Sequence, residues 1–176
     1  MIPSRPNCYT VGMPDRLPPL ELIAELLVGA VYGPQGGSPK AIDDTYATFE
    51  DYETEFPGQR KAVATFKRSL EAAEAVVPDF RASRWGNKSD FYSLFLAFAH
   101  YGRAGRFPLT TRNRNLVRKA LEDFAANIEG LLEDEKAAVP PGVSRHVRNV
   151  QRGVNDKARR TERNASLLEI LDPILA

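Results

Sequence analysis

From Leu20 onward, apolar residues recur along the chain at spacings of three and four, the period of one buried face of an α-helix. Leu20, Ile23, Leu27 and Val31 form the first stripe, with Pro18-Pro19 at its first turn and Gly33-Pro34 just past its end. Ile42, Tyr46, Phe49 and Phe56 predict a second helix that stops at Pro57-Gly58. Val63, Phe66, Leu70, Ala73 and Val77 step by three, four, three and four, the cleanest amphipathic stripe in the chain. The segment from Phe91 to Ala99 has Ser93 as its one polar residue, so it predicts a central helix buried all round, with Phe95 and Phe98 on opposite sides. Asn87 is placed to cap it, and Asp90 three residues later fits an Asp variant of the capping box. Val117, Leu121, Phe124, Ile128 and Leu131 mark a fifth helix. After Pro140-Pro141-Gly142, a last stripe runs from Val147 through Val150, Val154, Ala158, Thr161, Ala165 and Leu168 to Leu171, ending at Pro173 with a kink expected at Gly153.

Strand-type alternation is hard to find. The pattern therefore predicts an all-α fold: one compact helical domain of about six helices over residues 20–176, preceded by an extended arm over 1–19 that holds five of the 13 prolines. A length of 176 residues, 43% hydrophobic and 27% charged, fits a single globular unit. The one cysteine, Cys8, excludes an internal disulfide framework and fits a reducing, cytoplasmic setting. With two histidines far apart, His100 and His146, a zinc site of the Cys/His type is excluded. No apolar run approaches the ~18 residues of a membrane span.

Charge changes the picture more. Residues 1–80 hold 7 basic and 12 acidic side chains, and residues 81–176 hold 17 and 11. Asp43, Asp44, Glu50, Asp51, Glu53 and Glu55 make the predicted second helix acidic. The bases gather in two places. Arg112, Arg114, Arg118 and Lys119 crowd the start of the fifth helix, where the helix dipole is already positive, while Glu129, Glu133, Asp134 and Glu135 crowd its end. Each such placement costs ~0.3–1 kcal/mol, and an anion at that terminus would relieve it. Screening by salt is the competing reading. Farther on, Arg145, Arg148, Arg152, Arg159 and Arg163 are spaced by three, four, seven and four, so on one unbroken helix they form a stripe pointing away from the apolar set, over roughly 27 Å. Such a row suits a nucleic-acid backbone; it equally suits a solvated face, or pairing with the acids of the second helix.

Other candidate chemistry is thin. The Gly-rich run at 33–38 lacks a GxxxxGK[ST] pattern and reads as a turn. His100 reads as a helix C-terminal histidine near the last carbonyls, and His146, within the basic segment, as a candidate phosphate contact. Trp85 reads as buried between the third and fourth helices rather than stacked on a base. No nucleophile, acid–base pair or metal cluster converges, so neither a catalytic residue nor a cofactor is assigned.

Three stretches together carry a resemblance: Pro19 through Leu27 (PLELIAELL), Asn87 through Ala97 (NKSDFYSLFLA), and Asn155 through Ile170 with Arg159-Arg160 and Arg163. In this order they resemble the helical C-terminal half of the GmrSD restriction-endonuclease N-terminal-domain family. In that family a ParB/sulfiredoxin-like half carries a DGQQR-type motif linked to nucleotide hydrolysis, the helical half packs onto it, and the whole serves bacterial defence against phage. This chain holds no DGQQR-type run, and nothing catalytic carries over. The resemblance implies a helical accessory subunit or split half of a restriction-type system. It would contribute DNA-backbone contact and docking to a nucleotide-hydrolysing or nuclease partner, with the Pro-rich arm as a docking segment and no membrane role. The alternative is a helical protein–protein interaction module whose acidic second helix binds a basic partner. An enzyme with an unrecognised site is the third class.

Overall fold

The computed structural model describes residues 19–50, 58–151 and 155–176. Every regular element among them is helical: α1 (Pro19–Tyr32), α2 (Pro39–Ala47), α3 (Gln59–Val76), a 3₁₀ turn (Arg84–Gly86), α4 (Lys88–Arg103), α5 (Thr111–Glu133), α6 (Pro141–Gln151) and α7 (Lys157–Leu175). The all-α fold class holds, with seven α-helices in place of about six. The Pro-rich arm up to residue 18, Phe56 and Gly153 lie outside the described residues. Among these residues no helix is long and apolar enough to cross a membrane.

The added helix comes from a break in the last predicted segment. Asp156 caps α7, its carboxylate accepting a hydrogen bond from the Arg159 backbone N–H at 3.1 Å. An N-cap aspartate starts a new helix rather than continuing an old one. At the far end α7 runs past Pro173 to Leu175: the proline forfeits one hydrogen bond, to the carbonyl four residues before it, but so near the end it interrupts little, and Leu175 is buried in the core. α2 ends at Ala47 rather than reaching Phe49. Asp43, Asp44, Tyr46 and Ala47 are all exposed, so little packing supports further turns.

α4 is the centre, packed against α1, α3, α7 and the 3₁₀ turn. Leu94 through Ala99 are buried in succession, and the helix separates two apolar clusters. Phe95 belongs to the smaller, with Leu22 and Leu26 of α1 and, at 5.3 Å between ring centroids, Phe66 of α3. Phe98 belongs to the larger, with Val117 and Leu121 of α5 and Leu167 and Leu171 of α7. The two phenylalanines thus do lie on opposite sides. Trp85 is buried as expected and stacks on Phe124.

Two local expectations are corrected. Of the stripe Leu20, Ile23, Leu27, Val31, the side chain of Leu20 lies outside what is described, and the other three do not make the core face of α1: Ile23 is 43% exposed and Leu27 and Val31 are half-buried, whereas Leu22, Glu25, Leu26 and Gly29 are buried. This helix is apolar on both flanks, so shape decides which one packs. Gly29 lets α4 approach so closely that a Cβ there would lie 2.4 Å from Leu96 Cδ2. The capping box of α4 also fails to form. Asn87 stands at the N-cap without a side-chain hydrogen bond, and Asp90 turns into the core.

Candidate nucleic-acid interface

α5 starts cleanly because Thr110 caps it, its hydroxyl accepting from the Asn113 N–H at 3.1 Å. No acidic residue stands in the first turn, so its free N–H groups and the side chains of Arg112 and Arg114 present one uncompensated positive end. Both arginines are exposed; Arg114 reaches only Thr111 Oγ1, at 3.3 Å. Arg118 behaves differently. It lies one turn deeper and donates to the Ala75 carbonyl at 3.2 Å, satisfying one of the carbonyls left open at the end of α3. Lys119 pairs along the helix with Asp123 at 3.1 Å.

Beside this end lies a cleft of about 350 Å³. It is lined by Arg68, Glu71, Ala72 and Ala75 of α3, by Phe107, Pro108 and Leu109 of the connecting loop, which give it an apolar floor, and by Arg114 of α5. Arg68 and Glu71 are exposed, and among the described residues neither side chain makes a hydrogen bond or ion pair. Arg68 went unnoticed in the sequence because it lies 46 positions before Arg114, in a stretch whose local charge is mixed.

The second predicted cluster does not form one stripe. The break between α6 and α7 divides it, and Arg152 falls outside the described residues. Arg145 is tied to Glu169 at 2.7 Å and lies 3.9 Å from Glu162. Arg148 is exposed and donates to the Ser144 carbonyl at 3.4 Å, and Arg159 is half-buried. Arg163 is fully buried, the opposite of a solvent-facing position. Its Nε donates to Ser93 Oγ at 3.1 Å and its Nη1 to the Asn149 carbonyl at 2.9 Å, which fastens α7 to α4 and α6. Burial, reinforced by the nearby Arg160 charge, lowers the Arg163 pKa.

Arg163 is part of a buried charged layer that charge counting did not show. Glu25 of α1 accepts a hydrogen bond from Arg160 of α7, and Lys88 lies 3.0 Å from its other oxygen as an ion pair off the hydrogen-bond direction. The Arg160 guanidinium also donates to the Gln35 carbonyl and to Asn155 Oδ1, each at 3.1 Å, and sits 4.1 Å above the Tyr92 ring. A few ångströms along α4, Asp90 accepts from His146 Nε2 at 2.8 Å and lies 3.1 Å from Arg84 Nε. His146 is completely buried, with Phe124 edge-on to its ring, so it is not a phosphate contact. His100, for its part, is exposed and meets the Tyr101 ring edge-on. These buried pairs link α7 to α1 through Arg160 and Glu25, and α6 to α4 through His146 and Asp90. The periodicity of Leu22, Glu25, Leu26 and Gly29 was the available signal for Glu25: a carboxylate at i+3 of an otherwise apolar face needs a cationic partner.

No family model, no curated protein and no solved structure matches this chain.

Proposed function

We propose that this chain is a helical accessory module that contacts nucleic-acid phosphates through the α3/α5 cleft and docks on a partner polypeptide, as a subunit or split half of a restriction-type defence system. The observation that carries the nucleic-acid part is that Arg68 and Arg114 line one cleft, with Arg112 exposed two residues before Arg114 and no acid in the first turn of α5. Positive side chains set against a positive helix end are unfavourable alone and favourable once an anion is bound. The partner and the defence setting rest on the resemblance of the three helical stretches; any nucleotide hydrolysis or strand cleavage is assigned to the partner.

The test is the salt dependence of binding to a mixed-sequence DNA, offered both as a duplex and as a single strand. Changing Arg68, Arg112 and Arg114 together to Gln should flatten the log–log salt slope by about 2.7 on a duplex, at about 0.9 per phosphate contact. Arg145→Gln should leave the slope unchanged, because that guanidinium is already engaged by Glu169. Absence of binding to either DNA form at ~50 mM salt would refute the nucleic-acid reading and leave the protein–protein module in its place.

A further inference from the structure

The cleft contains more than a phosphate contact requires. Its floor is apolar, made of Phe107, Pro108 and Leu109, and a carboxylate, Glu71, stands in the wall between Arg68 and Ala75. A phosphate set on that floor would lose water without gaining a donor, and Glu71 would repel it. A planar base on the same floor would be in its preferred surroundings, since bases stack or pack on apolar and aromatic surfaces whatever the sequence. The volume, about 350 Å³, is at the small end of ligand pockets (roughly 300–1,000 Å³) and suits one nucleotide-sized group.

Resting on the nucleic-acid reading above, we infer that the α3/α5 cleft takes one unpaired guanine of a single strand, with Glu71 reading the base and Arg68 and Arg114 holding the flanking phosphates. The choice of base follows from donor geometry. A carboxylate offers two acceptor oxygens and no donor. On its Watson–Crick edge guanine presents two adjacent N–H donors, N1–H and the N2 amino group, which such a carboxylate accepts side by side. Adenine and cytosine each present one amino group beside an acceptor that Glu71 would repel, and thymine presents a single N–H between two carbonyls. The strand, rather than a free nucleotide, is the source because the cationic surface continues past the cleft: Arg106 adjoins Phe107 in the loop, Arg112 precedes Arg114 by two residues, and both are exposed. A stacked duplex keeps its bases out of reach. An unpaired base only has to rotate out.

The experiment uses the full chain and a set of single-stranded oligothymidines that differ at one central position: guanine, hypoxanthine (guanine without its N2 amino group), thymine, or an abasic sugar. Binding is read by fluorescence anisotropy. The guanine strand should bind about tenfold more tightly than the abasic one and several-fold more tightly than the hypoxanthine one, in line with the worth of a stacked base and a two-point base contact. Free guanosine monophosphate should bind at least tenfold more weakly than the guanine strand. Glu71→Gln should erase the difference between guanine and hypoxanthine while the salt slope stays as in the unmodified chain, since Glu71 touches no phosphate. Glu71 is exposed and makes no recorded contact among the described residues, so the variant keeps the fold. If all four strands bind alike with the slope intact, no base enters the cleft: the inference fails and the phosphate reading survives. Equal binding of the free nucleotide would overturn the assignment to a strand. Absence of binding by every strand and by the duplex sinks both readings.

Discussion

Removing either member of the Glu25–Arg160 pair should destabilise the protein far more than removing both. The two side chains are 1% and 3% exposed and come from helices 135 residues apart in sequence, so each charge is out of water only because the other is present. Breaking such a pair from one side leaves a buried charge uncompensated, at a cost of about 3–5 kcal/mol. Local geometry puts both single variants near the lower figure. After Glu25→Leu, Arg160 keeps the Gln35 carbonyl, Asn155 Oδ1 and the face of Tyr92. After Arg160→Met, Glu25 keeps Lys88 at 3.0 Å. About 3 kcal/mol each is still a large part of the ~5–15 kcal/mol that holds a domain of this size together. In Glu25→Leu/Arg160→Met neither charge of the pair is left to be stranded, and Lys88, with 24% of its side chain exposed, can turn its ammonium to solvent. The double variant should therefore be less destabilised than either single one, with a coupling energy of at least ~3 kcal/mol. Urea unfolding followed by far-UV circular dichroism measures all three. Two single variants that each cost under ~1 kcal/mol and simply add would mean that water reaches the pair, and the buried layer as described would be wrong.

Phe95→Ala should cost about 3–5 kcal/mol, since the ring is completely buried between α1, α3 and α4, and a thermal midpoint shifted by only a degree or two would show α4 to be peripheral. Tyr101→Phe tests the contact with Asp172, whose carboxylate accepts from the phenol at 2.6 Å. Burial first, then that hydrogen bond and the negative charge, hold the phenol pKa well above its ordinary value of 10. A folded-state pKa raised above the unfolded one gives stability that is complete below about pH 10 and is lost as pH rises toward the folded value. The variant should thus lose about 1 kcal/mol at neutral pH and unfold less steeply with rising pH beyond ~10 than the unmodified chain. An unchanged alkaline limb would remove Tyr101 from that dependence.

Much of the fold was legible because it is written at helical period. α4 and α5 were read with their core residues in place, and α4 was read as central, because its apolar run leaves no polar face to turn outward. On α3 the stripe is only half right: Ala73 and Val77 are buried and Phe66 and Leu70 partly so, but Val63 is 38% exposed, and the small residues Thr65, Ser69 and Ala72 with Val76 fill the buried face. What failed is equally physical. On α1 both flanks are apolar, and periodicity cannot rank two apolar stripes; a glycine at the closest approach to α4 does. Asn87 and Asp90 had the spacing of a capping box, but Arg84 and His146 offered Asp90 a buried alternative. The start of α7 was marked by Asn155-Asp156, a cap signal lost inside a basic segment that looked continuous.

The arginines show why the site was only half legible. Spacing tells which residues share a face of a helix, but it does not tell which face finds a partner from elsewhere in the chain. Arg163 meets Ser93 from 70 positions away and Arg160 meets Glu25 from 135, and such pairs leave no local trace. Arg118, counted with the basic cluster, and Arg103 each close the carbonyl end of another helix: Arg118 at Ala75 of α3, Arg103 at Ala30 of α1. Once these are engaged, the basic excess of residues 81–176 no longer measures the charge offered to a ligand. What the chain does offer is decided by subtraction. On α6 and α7, Arg145 is neutralised, Arg163 is enclosed and Arg160 is bound to a carboxylate, which leaves Arg148 and Arg159 without a carboxylate partner among the described residues. At the α3/α5 cleft, Arg68 and Arg112 keep their guanidinium groups uncommitted among the described residues. A phosphate backbone gains from a cation only if no carboxylate already holds it. That inequality favours the start of α5 for the proposed interface over the arginine-rich C-terminal segment: there the count of charges is highest but three arginines are already engaged, whereas Arg68 and Arg114 share a cleft.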